Sequence, residues 1–159
     1  MSYEPMSYEP MSYEPMSYEP VAYDPQNVFA KMLRGEIPCI KVYEDDAVLA
    51  FMDIMPRADG HVLAIPKQAA RNLLDVDPAI LASMAPALTK LARAIVKATG
   101  ADGMTMQQLS EPAGGQVVFH LHIHLLPRWD GVKLRPHTGE MAKKEDLEKI
   151  AEKIRAALA

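Results

Sequence analysis

His120-Leu121-His122-Ile123-His124, entered from Ala113-Gly114-Gly115-Gln116, is the stretch on which the reading of this chain turns. Alternate residues of an extended strand share a face, so this spacing sets three imidazoles in a row. Phe119, Leu121, Ile123 and Leu125 then point the other way, toward a core. The chain has five histidines in 159 residues, and three of them fall within this short run.

Three chemistries compete for that row. A structural reading requires each imidazole to be solvated or hydrogen-bonded. A zinc reading needs nitrogen and sulfur ligands in a tetrahedron, which three side chains in line cannot supply alone. Cys39, Asp53 and His137 are the other available donors, and none lies at a recognised ligand spacing. A phosphoryl-transfer reading needs a neutral imidazole with one ring nitrogen free and the other held as a donor. It also needs hydrogen-bond donors around the phosphate oxygens and an acid for the leaving group. Neighbouring imidazoles and the backbone of a Gly-rich turn can fill those roles.

Outward from the triplet, the chain alternates strands and helices. Asn27 caps a short helix over Val28–Leu33 that Gly35 stops. Lys41–Tyr43 and Val48–Asp53 flank Glu44-Asp45-Asp46 as a hairpin, and Val62–Ile65 reads as a buried strand closed by Pro66. Asp77 and Pro78 open a long helix with Leu81, Met84, Leu88, Leu91 and Ile95 on one face, ending at Gly100. Pro86 is expected to kink or interrupt it. Met104–Leu109 and Val117–Leu126 are further strands, and a C-terminal helix over roughly 143–158 buries Leu147, Ile150, Ile154 and Leu158. The expected class is α+β, an antiparallel sheet with a long central helix and a C-terminal helix.

Residues 1–20 are four copies of Met-Ser-Tyr-Glu-Pro, and Val21-Ala22-Tyr23-Asp24-Pro25 is a degenerate fifth. A five-residue period fits neither helix nor strand, and the recurring proline blocks regular hydrogen bonding. Residues 1–25 are therefore expected to be a disordered segment, and 26–159 the folded domain. The formal charge of −4 belongs to residues 1–20: Glu4, Glu9, Glu14 and Glu19 are four of 21 acidic residues, and the rest balance 17 basic ones. A neutral body gives no footprint for long nucleic acid. The lone Cys39 rules out an internal disulfide framework and suits a reducing, cytoplasmic compartment. No apolar run is expected to be long enough for a bilayer, so no membrane partner is expected.

Gly114-Gly115-Gln116-Val117-Val118-Phe119-His120-Leu121-His122-Ile123-His124-Leu125-Leu126-Pro127-Arg128 resembles the signature of the histidine triad family. The resemblance continues upstream through Arg34-Gly35-Glu36-Ile37-Pro38, Val42-Tyr43-Glu44-Asp45-Asp46, Ala50-Phe51-Met52-Asp53-Ile54 and Gly60-His61-Val62-Leu63-Ala64-Ile65-Pro66-Lys67. It implies a histidine triad-type fold and metal-independent hydrolysis of nucleoside 5′-monophosphate conjugates, of the purine phosphoramidate type, with no cofactor. His122 would attack the α-phosphate and form a nucleotidyl-histidine intermediate. His120 would position it, His124 would contact the phosphate and scissile bond, and His61 would support the triad. The resemblance assigns Asp53 to the ribose hydroxyls and Val42, Phe51 and Ile54 to the purine walls. Gln116 and the backbone near Val117 would lie beside the phosphate.

The same resemblance implies a homodimer through the long helix and a sheet continued across the interface. A dinucleoside polyphosphate hydrolase and a nucleotide-binding scaffold with vestigial catalysis are the alternative readings. Relatives often place an Asn before the Gly-rich turn, where Gln107 or Gln108 stands here. Val117 replaces a hydroxyl residue, and Asn27-Val28-Phe29-Ala30 lacks the Cys-x-x-Cys zinc motif of some bacterial relatives, so no structural zinc is expected. His137 lies outside every motif and is expected at the surface.

Overall fold

The computed structural model describes residues 19–137 and 139–159. The first 18 residues of the repetitive segment lie outside the described residues, and the expectation of disorder there with them. The chain runs α1 (Val28–Leu33), β1 (Lys41–Glu44), β2 (Val48–Met52), β3 (Val62–Pro66), α2 (Pro78–Thr99), β4 (Gly103–Gln107), a 3₁₀ turn (Pro112–Gly114), β5 (Ile123–Arg128) and α3 (Lys144–Leu158). The five strands form one antiparallel sheet in the order β1-β2-β3-β5-β4. This is the expected α+β architecture.

Local chemistry places the elements. Asp45 accepts from the amides of Ala47 and Val48, which closes the β1–β2 hairpin. The side chain of Asp77 accepts from Ala79 N–H to start α2, and Gly100 ends it at φ +69°. Pro86 does not interrupt α2, which runs as one helix through it. Pro86 and Ala82 are both on the exposed face, so the carbonyl that proline leaves without a donor can bond water instead. At 22 residues α2 is also long and apolar enough to cross a bilayer, a departure from the sequence expectation, yet its Met84, Leu91 and Ile95 are buried against the fold.

Every residue of β2 is buried, because the sheet is covered on both faces. Val48, Ala50 and Met52 join Val62, Ala64, Leu121, Ile123 and Leu125 beneath α2 and α3. Leu49 and Phe51 join Leu63, Ile65 and Phe29 of α1 in a smaller cluster on the opposite face.

The last strand differs most from expectation. Strand pairing begins at Ile123, not Val117, so only His124 of the triplet lies on β5. The reason is Pro66, which ends β3 and has no N–H to continue a ladder. The imidazole of His120 donates to the Pro66 carbonyl instead, and Leu121 N–H reaches Ala70 O. The triplet is thus an extended lead-in entering a strand, with Leu121, Ile123 and Leu125 still facing the larger core.

Candidate active site

His61, His120, His122 and His124 are all buried, and their hydrogen bonds fix where each proton sits. His122 Nδ1 lies 2.7 Å from the His120 carbonyl, which can only accept, so Nδ1 carries the proton. The lone pair is left on Nε2, which has no partner among the described residues. His120 donates from Nε2 to Pro66 O at 2.9 Å, and its Nδ1 accepts the Tyr23 hydroxyl at 2.6 Å. Asn27, while capping α1, donates to the Tyr23 oxygen and so orients that hydroxyl.

Arg57 N–H donates to His61 Nδ1 at 3.1 Å, which places the His61 proton on Nε2. That proton goes to His124 Nδ1 at 2.9 Å. His124 must then carry its own proton on Nε2, and this buried atom has no hydrogen-bond partner among the described residues. A buried donor without a partner is costly, which marks this ring as a candidate for contact with a ligand.

The electrostatics agree with neutral rings. Burial, reinforced by His124, Arg57, His137 and His122, pushes His61 down to about 3. Burial followed by His122, His137 and Arg57 holds His124 at about 3. Burial also lowers His120 and His122, opposed in each case by a carbonyl acceptor. Asp53 Oδ2 is 3.6 Å from His61 Nε2, but a neutral His61 makes this no ion pair. Burial raises the Asp53 carboxyl, partly offset by Met55 N–H on Oδ1.

Asp53, His61 and His124 bring ligand atoms within 4.8 Å of one another. Arg57 N–H commits His61 to a proton on Nε2, which is directed at His124 Nδ1, so the three do not converge as a set of free lone pairs. Cys39 is not among them; it flanks the smaller core beside Met32 and Leu33.

Phe29 packs edge-on against His122 at 5.0 Å and against Phe51 at 5.3 Å. Phe51 and Leu63 therefore line the histidine side of the sheet, and Ile54 is half exposed at its edge. Val42 is corrected: it is buried in the layer beneath α2 and α3, on the other face from His122, so it cannot wall the same slot. Gly60, at φ +98°, brings the chain within a Cβ-clash distance of Thr99 and Pro127 just before His61.

Gln116 and Gln108 are also redrawn. Gln116 Oε1 accepts from Asn72 and Glu111 N–H, and Nε2 donates to Arg71 O and Val118 O. Its carboxamide is fully engaged and braces the loop, with nothing left for a phosphate. Gln108 bonds Leu109 O and Ser110 within its own turn. Val117 is 78% exposed beside the triad, and its N–H has no acceptor among the described residues.

Several residues escaped the sequence reading. Tyr23 belongs by sequence to the repetitive segment, yet it bonds His120, so the folded body extends upstream of residue 26. Asn27 and Phe29 were legible only as a cap and a helix residue. Arg71 and Asn72 grip Glu111, a non-glycine at φ +61°, with bonds of 2.6–2.9 Å. Only the opposite charges of Arg71 and Glu111 offered a signal, and Asn72 gave none. His137 is exposed, as expected, but its ring stands edge-on to His124 at 6.1 Å.

Comparison with known proteins agrees with this geometry. A family model described as the HIT domain matches residues 34–131. An Arabidopsis thaliana protein named adenylylsulfatase HINT3 is 41% identical over 73% of this chain, which spans 62% of that relative's length. A HIT-like protein of Bartonella henselae, described as involved in cell-cycle regulation, superposes with a TM-score of 0.82 at 50% identity, covering 86% of this chain and 99% of its own. A hypothetical histidine triad nucleotide-binding protein of Sulfolobus tokodaii gives 0.75 at 31% identity, over 82% and 90% of the two chains.

Proposed function

Since the chain belongs to the HIT domain family, we propose that it hydrolyses nucleoside 5′-monophosphate conjugates, of the purine phosphoramidate type, through a nucleotidyl-histidine intermediate. The observation that carries this reading is the His122 ring. Its Nδ1 proton is spent on the His120 carbonyl, and its Nε2 lone pair is uncommitted. A neutral imidazole held in one tautomer is a nucleophile ready at neutral pH.

In the proposed reaction, His122 Nε2 forms a bond to the α-phosphorus as the bond to the leaving group breaks. Holding Nδ1–H on a carbonyl stabilises the positive charge that grows on the ring. The partnerless His124 Nε2–H donates to a phosphoryl oxygen, and the bond strengthens as negative charge builds there. His61 keeps His124 in that tautomer. Asp53 Oδ2 accepts from the ribose hydroxyls, while Phe29, Phe51 and Leu63 offer apolar contact to the base. Water then cleaves the N–P bond and releases the nucleoside monophosphate.

The Arabidopsis relative's name favours a second reading, in which sulfate is the leaving group from the same nucleotidyl unit. A dinucleoside polyphosphate would differ in the same respect. The active unit is proposed to be a dimer: β4 is an edge strand with Met106 exposed, a surface suited to continuing the sheet into a second copy.

The test is hydrolysis of adenosine 5′-phosphoramidate by wild type and His122→Ala in excess chelator, with mass spectrometry of quenched protein for the adenylyl adduct. Turnover and adduct are expected for wild type alone. Tight nucleotide binding without turnover of the amidate, adenylyl sulfate or a dinucleoside polyphosphate would favour the scaffold reading instead.

A further inference from the structure

A cleft of about 490 Å³ opens where the C-terminal end of α2, the end of β5, α3 and the turn at Arg57–Asp59 meet. That volume suits a ligand the size of a nucleotide. Its apolar lining comes from Pro127, Trp129, Val132, Leu134 and Ile150, and Trp129 is the chain's one tryptophan. His61, His122, His124, Phe51 and Asp53 do not line it, so it is not the site to which hydrolysis is assigned above. The two back onto one another at Arg57, whose N–H donates to His61 Nδ1 while its side chain lines the cleft.

The charge of the lining is one-sided. Arg57, Arg128, Lys133, Arg135 and Lys153 face a single carboxylate, Asp59. Beyond residue 20 the chain balances 17 acidic against 17 basic side chains, so this surplus is local. Among the described residues only Arg135 of the five meets a carboxylate, Asp59 at 2.8 Å. Arg57 Nε donates to Arg135 O and Arg128 donates to Thr105 Oγ1, neutral acceptors that leave the guanidinium charge uncompensated. Lys133 and Lys153 are exposed and have no ion-pair partner among the described residues. Thr99 ends α2 here, and the carbonyl end of a helix attracts cations. That attraction accounts for about half a charge, whereas five cations less one carboxylate leave a surplus of four.

We propose that this cleft is a second ligand site, which binds a phosphorylated aromatic molecule of the nucleotide class separately from the histidine site. The Trp129 indole offers contact to a planar ring, and the guanidinium groups suit phosphate oxygens in a way that point charges do not. An inorganic anion would leave Trp129, Leu134 and the 56% exposed Val132 uncovered. A purely apolar ligand would desolvate the cations without pairing them. A ring that carries phosphate answers both halves of the lining. Binding here needs no turnover, so the inference does not rest on the role given to His122.

The test is Trp129 fluorescence of the full chain, excited where adenine does not absorb, titrated in excess chelator with ATP, adenosine and ribose 5-phosphate. Saturable quenching by ATP is expected, with half-saturation at least about tenfold higher for either fragment. Replacing both lysines, Lys133→Glu with Lys153→Glu, should raise the ATP half-saturation by at least about tenfold, the scale of lost charge complementarity. Asp53→Ala, on the histidine side, should leave it within about twofold. Both lysines are exposed, so the unfolding temperature of the double variant should stay at the wild-type value. Absence of saturable quenching overturns the proposal. Quenching kept in the lysine variant or lost in Asp53→Ala would place the signal at the histidine site, and overturns it too. An equal response to adenosine or to ribose 5-phosphate would reduce the cleft to an apolar or a bare anion site, which overturns the ligand class. Turnover of the amidate without any Trp129 response would sink this inference and leave the hydrolytic reading standing.

Discussion

On the face of the sheet beneath α2 and α3, Val48, Ala50, Met52, Val62 and Ala64 meet Met84, Leu91, Ile95 and Ile154, and burial needs no directional partner. On the opposite face β5 buries His124, His61 is buried just before β3, and His120 and His122 lie in the lead-in to β5. There each ring is held by a bond that also decides its tautomer. The first face stores stability and tolerates chemical sameness. The second accepts desolvation of four imidazoles in exchange for a fixed direction of every proton. Stability and catalysis are thus written on opposite sides of one sheet and should separate under mutation.

The sharpest way to break that separation is to cut one residue on each face. His122→Ala should lower turnover of the amidate by more than about a thousandfold, while nucleotide affinity and unfolding temperature stay near wild type. Leu91→Ala, at a fully buried helix position, should destabilise by about 2–5 kcal/mol in denaturant melts. Its kcat per folded molecule should be unchanged. A large kcat loss in Leu91→Ala would show that the two faces are coupled.

Acid should attack the histidine face selectively. His61 and His124 sit at about 3 when folded, against 6.5 for a free imidazole. The unfolded chain therefore binds more protons between those values. Stability is full above about 6.5 and falls as pH drops toward 3, by up to about 1.4 kcal/mol per histidine per pH unit. The raised Asp53 carboxyl works the other way, over a window just above its ordinary value. Urea midpoints across pH 7 to 4 should fall in wild type and fall less steeply in His61→Gln.

The smallest expected effect sharpens the comparison at its margin. Tyr23→Phe removes the donor to His120 Nδ1 and should cost about 1 kcal/mol of stability. Its kcat/KM should drop less than about tenfold, because the Pro66 carbonyl still holds the other ring nitrogen.

Much of this was legible in the chain. Period and caps gave α1, the hairpin and both long helices almost to the residue, because Asn27, Asp45, Asp77 and Gly100 act locally. The triad and the core pattern of Leu121, Ile123 and Leu125 followed from alternation. Strand length did not, because the start of β5 is set by Pro66, far away in sequence. Val42 was given a pocket role by resemblance alone, and the irregularity between Lys41 and Tyr43 is a local feature that a motif does not report. Gln116 was assigned a ligand role, but its four bonds run to partners as distant as Arg71.

The contact between Tyr23 and His120 bears on how such a protein can diversify. The stretch that matches the family runs over residues 34–131. Tyr23 and Phe29 lie before it and His137 beyond it, yet they touch the histidines from either end. A lineage could therefore exchange residues that touch the histidines while its recognisable signature stays intact. Substrate choice would then be inherited separately from the nucleophile, and a fragment trimmed to the matching stretch would keep the triad but lose the residues that flank it.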